Sequence, residues 1–152
     1  MAERALTSSG FARVTYRRIL VPIAADDDSK LGVELAAELA PEGRAAITAV
    51  VVIEVPPELP LEAHMVEEEA EARRALEKAH AIAASRAVKL QERIVRGRSR
   101  GEAIVAEAEA VGADLIVVRA TAHDRSQVFG KTVDYVLRHA CCRVLLTTPP
   151  PR

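Results

Sequence analysis

The sequence predicts an α/β fold, a doubly wound five-stranded parallel sheet with helices on both faces. Three observations carry this. Apolar runs alternate with amphipathic segments in the order β-α-β-α-β-α-β-α-β. The runs are mostly continuous in Val, Ile and Leu rather than alternating with polar residues, as in strands buried on both faces. A length of 152 residues fits one domain and one such sheet.

Residues 18–23 (RILVPI) form the first strand. A cluster of helix-capping residues at 26–29 (DDDS) precedes Leu31, Leu35, Ala36, Leu39 and Ala40, which recur at helical spacing until Pro41 and Gly43 stop the helix. Residues 46–54 (AITAVVVIE) are the second strand, and Pro56, Pro57 and Pro60 make the next stretch irregular. A long helix is expected over 62–86, with Met65, Ala72, Leu76, Ala79, Ile82 and Ala83 as its apolar stripe. Its charged face carries Glu67, Glu71, Arg74 and Lys78 at i,i+4 spacing. Residues 88–95 read as the third strand, with Val88, Leu90 and Ile94 on one face. Gly97 and Gly101 bound a loop before a helix over 102–111 that turns Ile104, Val105 and Ala108 inward. Residues 115–118 are the fourth strand and 121–129 a polar loop. Gly130 opens the last helix, with Val133, Val136 and Leu137 inward, and 144–147 is the fifth strand. The chain thus divides into an N-terminal arm (1–15), one domain (16–148) and a proline-rich tail (149–152).

Composition narrows the function. A formal net charge of −1 gives no electrostatic reason to expect nucleic acid or an anionic membrane as partner, although Arg93, Arg96, Arg98 and Arg100 form a local basic cluster. No apolar leader is visible in the first fifteen residues, and the longest apolar run, 45–55, is too short to span a bilayer. The expected compartment is the cytoplasm, with Cys141 and Cys142 as buried thiols in a reducing environment. Two adjacent cysteines are too few for a structural zinc site, and no other spacing of His or Cys builds a metal site.

Doubly wound sheets bind ligands at the carboxyl ends of their strands. That rule singles out the loops 24–29, 54–60 and 119–129, with the start of the last helix. Residues 19–23 (ILVPI), 49–55 (AVVVIEV), 112–118 (GADLIVV) and 129–146 (FGKTVDYVLRHACCRVLL), in this order, resemble the universal stress protein family over nearly the whole chain. Residues 53–63 (IEVPPELPLEA) and 129–140 are similar, more narrowly, to the cytoplasmic domains fused to some amino-acid permeases. The resemblance implies an adenine nucleotide alpha hydrolase-like architecture and a homodimer formed through the last strand, here Val144, Leu145 and Leu146. One branch of the family binds ATP through a loop of form G-x2-G-x9-G-[ST], and another branch lacks the loop.

Carried over residue by residue, the resemblance assigns Ala24, Val52, Arg119, Ala122, Arg125, Gly130, Lys131 and Thr132 to the nucleotide site. Gly130 matches the last glycine, Lys131 stands where the family has Ser or Thr, and Thr132 follows one place later. Arg119 and Ala122 replace the first two glycines, and seven residues rather than nine separate Ala122 from Gly130. Ala24 stands where the family carries an Asp. Each hydrogen bond lost to a charged ligand costs about 1.5–3 kcal/mol, so two or three losses carry a micromolar site to millimolar or beyond. Arg119, Arg125 and Lys131 act in the opposite direction by neutralising phosphate charge. Gly130 also reads as a plain helix-start glycine with no ligand. A P-loop is excluded because its first glycine would fall on Arg125.

No catalytic constellation is readable. His64, His80 and His139 read as surface or boundary residues. His123 lies in the site loop beside Asp124 and near Ser126, but without a third partner. Tyr135 and Asp134 are expected beside the last-strand edge. The reading is of a regulatory, non-enzymatic domain acting through protein partners, a membrane transporter among them, with its ATP loop degraded and no cofactor. The alternative is a sensor of ATP or AMP that uses an altered phosphate loop.

Overall fold

The structure is a computed structural model that describes residues 15–24, 30–40, 44–120 and 130–148. Its elements follow the chain as β1 (Arg18–Pro22), α1 (Lys30–Leu39), β2 (Ala46–Glu54), α2 (Val66–Ser85), β3 (Leu90–Gly97), α3 (Arg100–Val111), β4 (Leu115–Arg119), α4 (Gly130–His139) and β5 (Arg143–Thr147). The five strands form one sheet in the order β3-β2-β1-β4-β5, and all neighbours are parallel. This is the predicted doubly wound fold. The predicted arm and tail lie outside the described residues, apart from the arm's last residue.

Alternation across the sheet explains the continuous apolar runs. In β1, Ile19 and Val21 face a core shared with α1 and α2, while Leu20 faces a second core under α3 and α4. In β2, Ile47, Ala49, Val51 and Ile53 serve the first core, and Val50 and Val52 the second. Both faces are covered, so the buried positions are apolar except Thr48, whose hydroxyl faces Gln91 Oε1 at 3.4 Å. Asp114 sets the start of the sheet: its carboxylate accepts the backbone N–H groups of Arg17 at 2.8 Å and Arg18 at 3.1 Å. Among the described residues, no helix is long and apolar enough to cross a membrane.

Several expectations are corrected. The long helix begins at Val66, not at residue 62. Residues 56–63 form two turns instead, closed by Leu59 N–H to the Pro56 carbonyl and Ala63 N–H to the Pro60 carbonyl, each at 3.0 Å. The Ala63 carbonyl, which a helix would have used, accepts from Arg96, whose guanidinium also pairs with Glu69. Arg98 donates to the carbonyls of Val55 (3.2 Å), Pro56 (2.6 Å) and Leu59 (2.8 Å). Arg93 pairs with Glu107 at 3.1 Å. Most of the basic cluster is therefore internal bracing.

The third strand starts at Leu90, because residues 86–88 finish α2. Ala87 N–H reaches the Ala84 carbonyl and Val88 N–H the Ala83 carbonyl, a Schellman motif with Ala87 at φ 56°. As an edge strand, β3 leaves Ile94 exposed. Val133 and Val136 are buried as expected, but Leu137 is 42 % exposed, since α4 serves the edge-strand side of its layer and no further element covers its flank among the described residues. Cys141 is exposed rather than buried, and its thiol donates to Glu109 at 3.2 Å. That hydrogen bond, the Glu109 charge and slight desolvation hold the Cys141 pKa above the ordinary thiol value. Cys142 is half-buried. Tyr135 packs against Gly101 of α3 and stacks on His139 with ring centroids 4.0 Å apart.

Candidate functional site

In a parallel α/β layer every helix N-terminus lies at the carboxyl ends of the strands. Strand order reverses direction between β1 and β4, and the chain leaves β1 for opposite sides of the sheet, so a crevice opens there. The structure has a cavity of about 250 Å³ at this point. Its apolar floor comprises Val50, Val52, Ile104, Val118 and Val133, all of them buried. Its rim comes from the segment after β1, the last residue of β4 and the first turns of α3 and α4.

Ala24, Val52, Arg119, Gly130, Lys131 and Thr132 all line this one cavity. Ala122 and Arg125 lie outside the described residues, as do His123 and Ser126. Gly130 adopts φ 76° at the start of α4, a left-handed conformation that disfavours any side chain, so the backbone alone accounts for glycine there. The same turn places Gly130 in the cavity wall. Lys131 is exposed and Thr132 half-buried. Ala24 lines the cavity without a polar side chain.

Sequence reasoning missed Arg100. It is the first residue of α3 and lines the cavity from the side opposite β4. The same topological rule would have found it, because the loop after β3 ends at the crevice like the loops after β1, β2 and β4. Ser99 caps α3 by accepting the Glu102 N–H at 3.4 Å, and the Arg100 N–H donates to Glu54 Oε1 at 2.9 Å. The carboxylate at the end of β2 thus fixes the start of α3.

Among the described residues, the lining contains three cations, Arg100, Arg119 and Lys131, and no carboxylate. The arrangement suits a ligand with an apolar or planar body and an anionic end. Among the described residues no histidine or acid–base pair lines it. Among the described residues no group of three His, Cys, Asp or Glu side chains can hold a metal ion.

Comparison with known proteins fits this geometry. No curated protein sequence matches the chain. A universal stress protein in complex with cAMP matches with TM-score 0.65 at 23 % identity, covering 88 % of this chain and 98 % of its own. The universal stress protein from Archaeoglobus fulgidus in complex with dAMP matches with TM-score 0.68 at 24 % identity, covering 88 % and 98 %. A family protein from Arabidopsis thaliana with AMP bound matches with TM-score 0.64 at 17 % identity, covering 88 % and 92 %. These likenesses establish the fold. The model of the universal stress protein family matches residues 15–148, nearly the entire chain, and the chain belongs to that family.

Proposed function

We propose that this chain is a regulatory domain that binds an adenine nucleotide, AMP or ATP, in the crevice between β1 and β4. The observation that carries the reading is the cavity itself, with an aliphatic floor and a rim of Arg100, Arg119 and Lys131. Cationic side chains replace the backbone donors of the missing glycines. Related folds in complex with cAMP, dAMP and AMP support the ligand class. The test is to purify the protein without added nucleotide, denature it and identify released small molecules by mass spectrometry, then to titrate AMP and ATP calorimetrically. Lys131→Ala weakens binding about tenfold or more, the value of one charge-assisted contact. An empty extract together with no heat on titration refutes the reading.

A second reading rests on β5. This strand forms the sheet edge, and Val144, Leu145 and Leu146 are only half-buried. An unpaired aliphatic edge is stabilised by pairing with a second copy, and the dimer then presents a surface to protein partners. The permease-like stretches make the cytoplasmic face of a membrane transporter the partner to try. Light scattering tests the assembly: a dimer that Leu145→Lys converts to monomer supports it, and a monomer at all concentrations refutes it.

A further inference from the structure

We propose that Arg100 is a charge-reading residue, which makes this crevice select ligands bearing at least two negative charges over singly charged or neutral ones. The inference rests on the crevice being a nucleotide site. Its own basis is the placement of Arg100. Of the four arginines between residues 93 and 100, three are committed: Arg93 to Glu107, Arg96 to Glu69 and the Ala63 carbonyl, and Arg98 to three carbonyls. The Arg100 guanidinium has no such partner among the described residues, and its side chain lines the cavity. Glu54, the nearby carboxylate, is bonded to the backbone N–H of Arg100.

The backbone from which the side chain springs is also held. Ser99 caps the helix, Glu54 takes its first N–H, and Gly101 packs directly against Tyr135 of α4. Arg100 and Lys131 thus reach one cavity from two helices whose separation is fixed by a close contact. The backbone is fixed while the guanidinium itself is exposed and, among the described residues, unpartnered, so it is available to pair with phosphate oxygens. A phosphomonoester dianion satisfies both cations. A cyclic phosphodiester, with one charge, forms one strong charge-assisted contact fewer. The expected order is ADP and AMP first, cAMP weaker and adenosine weakest.

The test is calorimetric titration of the full chain and of Arg100→Gln with AMP, cAMP, adenosine and pyrophosphate. The wild type binds AMP about tenfold more tightly than cAMP, the value of one charged contact. Arg100→Gln removes that preference, leaves adenosine unchanged and keeps the wild-type melting temperature, because the guanidinium braces nothing described. An unchanged AMP-to-cAMP ratio in Arg100→Gln overturns the proposal while leaving the nucleotide reading intact. If the wild type ignores every nucleotide, the nucleotide reading fails. Pyrophosphate binding that Arg100→Gln abolishes would then still uphold Arg100, and its absence would overturn both.

Discussion

The close contact between α3 and α4 offers a direct check on the packing argument. A Cβ added at Gly101 would lie 2.8 Å from Tyr135 Cβ and 3.0 Å from its Cγ and Cδ1. Carbon atoms pack best at about 3.5–4.0 Å, so relief requires a shift of roughly 0.7–1.2 Å. Rotating the Tyr135 ring does not help, because the nearest atom is a Cβ fixed to the α4 backbone, and the helices must separate as bodies. Overpacking of this kind costs about 1–3 kcal/mol, and the better helix propensity of alanine offsets up to about 1 kcal/mol. Gly101→Ala is therefore expected to lose about 1–2 kcal/mol. For a chain of 152 residues, that is a melting temperature lower by about 2–8 °C. Gly32→Ala is the comparison, since its Cβ meets a single side-chain atom, Val21 Cγ1, at 3.2 Å, a milder approach than at Gly101. Urea unfolding followed by circular dichroism measures both. A Gly101→Ala protein as stable as wild type, or a Gly32→Ala protein that loses more, would refute the reasoning.

Other outcomes follow from features already described. Ala87 holds a left-handed conformation at the end of α2, so Ala87→Gly gains about 0.5–1 kcal/mol once the entropy of the unfolded glycine is subtracted, read as a higher urea midpoint. Arg98→Ala removes three hydrogen bonds to the segment after β2, and amide exchange at Leu59 accelerates while exchange in β4 does not change. Glu109 holds the Cys141 thiol protonated beyond the usual range, so Glu109→Gln lowers its pKa and speeds alkylation by neutral iodoacetamide at pH 8; equal rates would show that the hydrogen bond has no effect. Asp114→Asn keeps one acceptor oxygen but sets an NH2 group against the second N–H of the Arg17 and Arg18 pair, and costs about 1.5 kcal/mol in the same unfolding assay.

What could be read from the sequence depended on how far each signal acts. The bounds of β2 were legible because seven consecutive buried residues leave no alternative to a strand covered on both faces. The start of α2 was not, because the choice between turn and helix at Ala63 is made by Arg96, a residue on another strand. The offset of β3 was hidden for a local reason: the Schellman end of α2 uses alanine where glycine would have announced it. At the site, glycine and its following helix were visible at residue 130, whereas Arg100 looked like one more member of a basic cluster. Only the pairing of its three neighbours sets it apart.

The two borders of the sheet differ in chemistry. Along β3 the exposed positions include Gln91, Glu92 and Arg93, polar groups that resist the approach of another strand. Along β5, after the exposed Arg143, the short strand is aliphatic and half-buried at Val144, Leu145 and Leu146. In the proposed dimer, a two-fold axis through β5 joins the aliphatic borders of two copies and leaves the polar borders at both outer ends. Growth would then stop at ten strands, a closed assembly rather than a fibre.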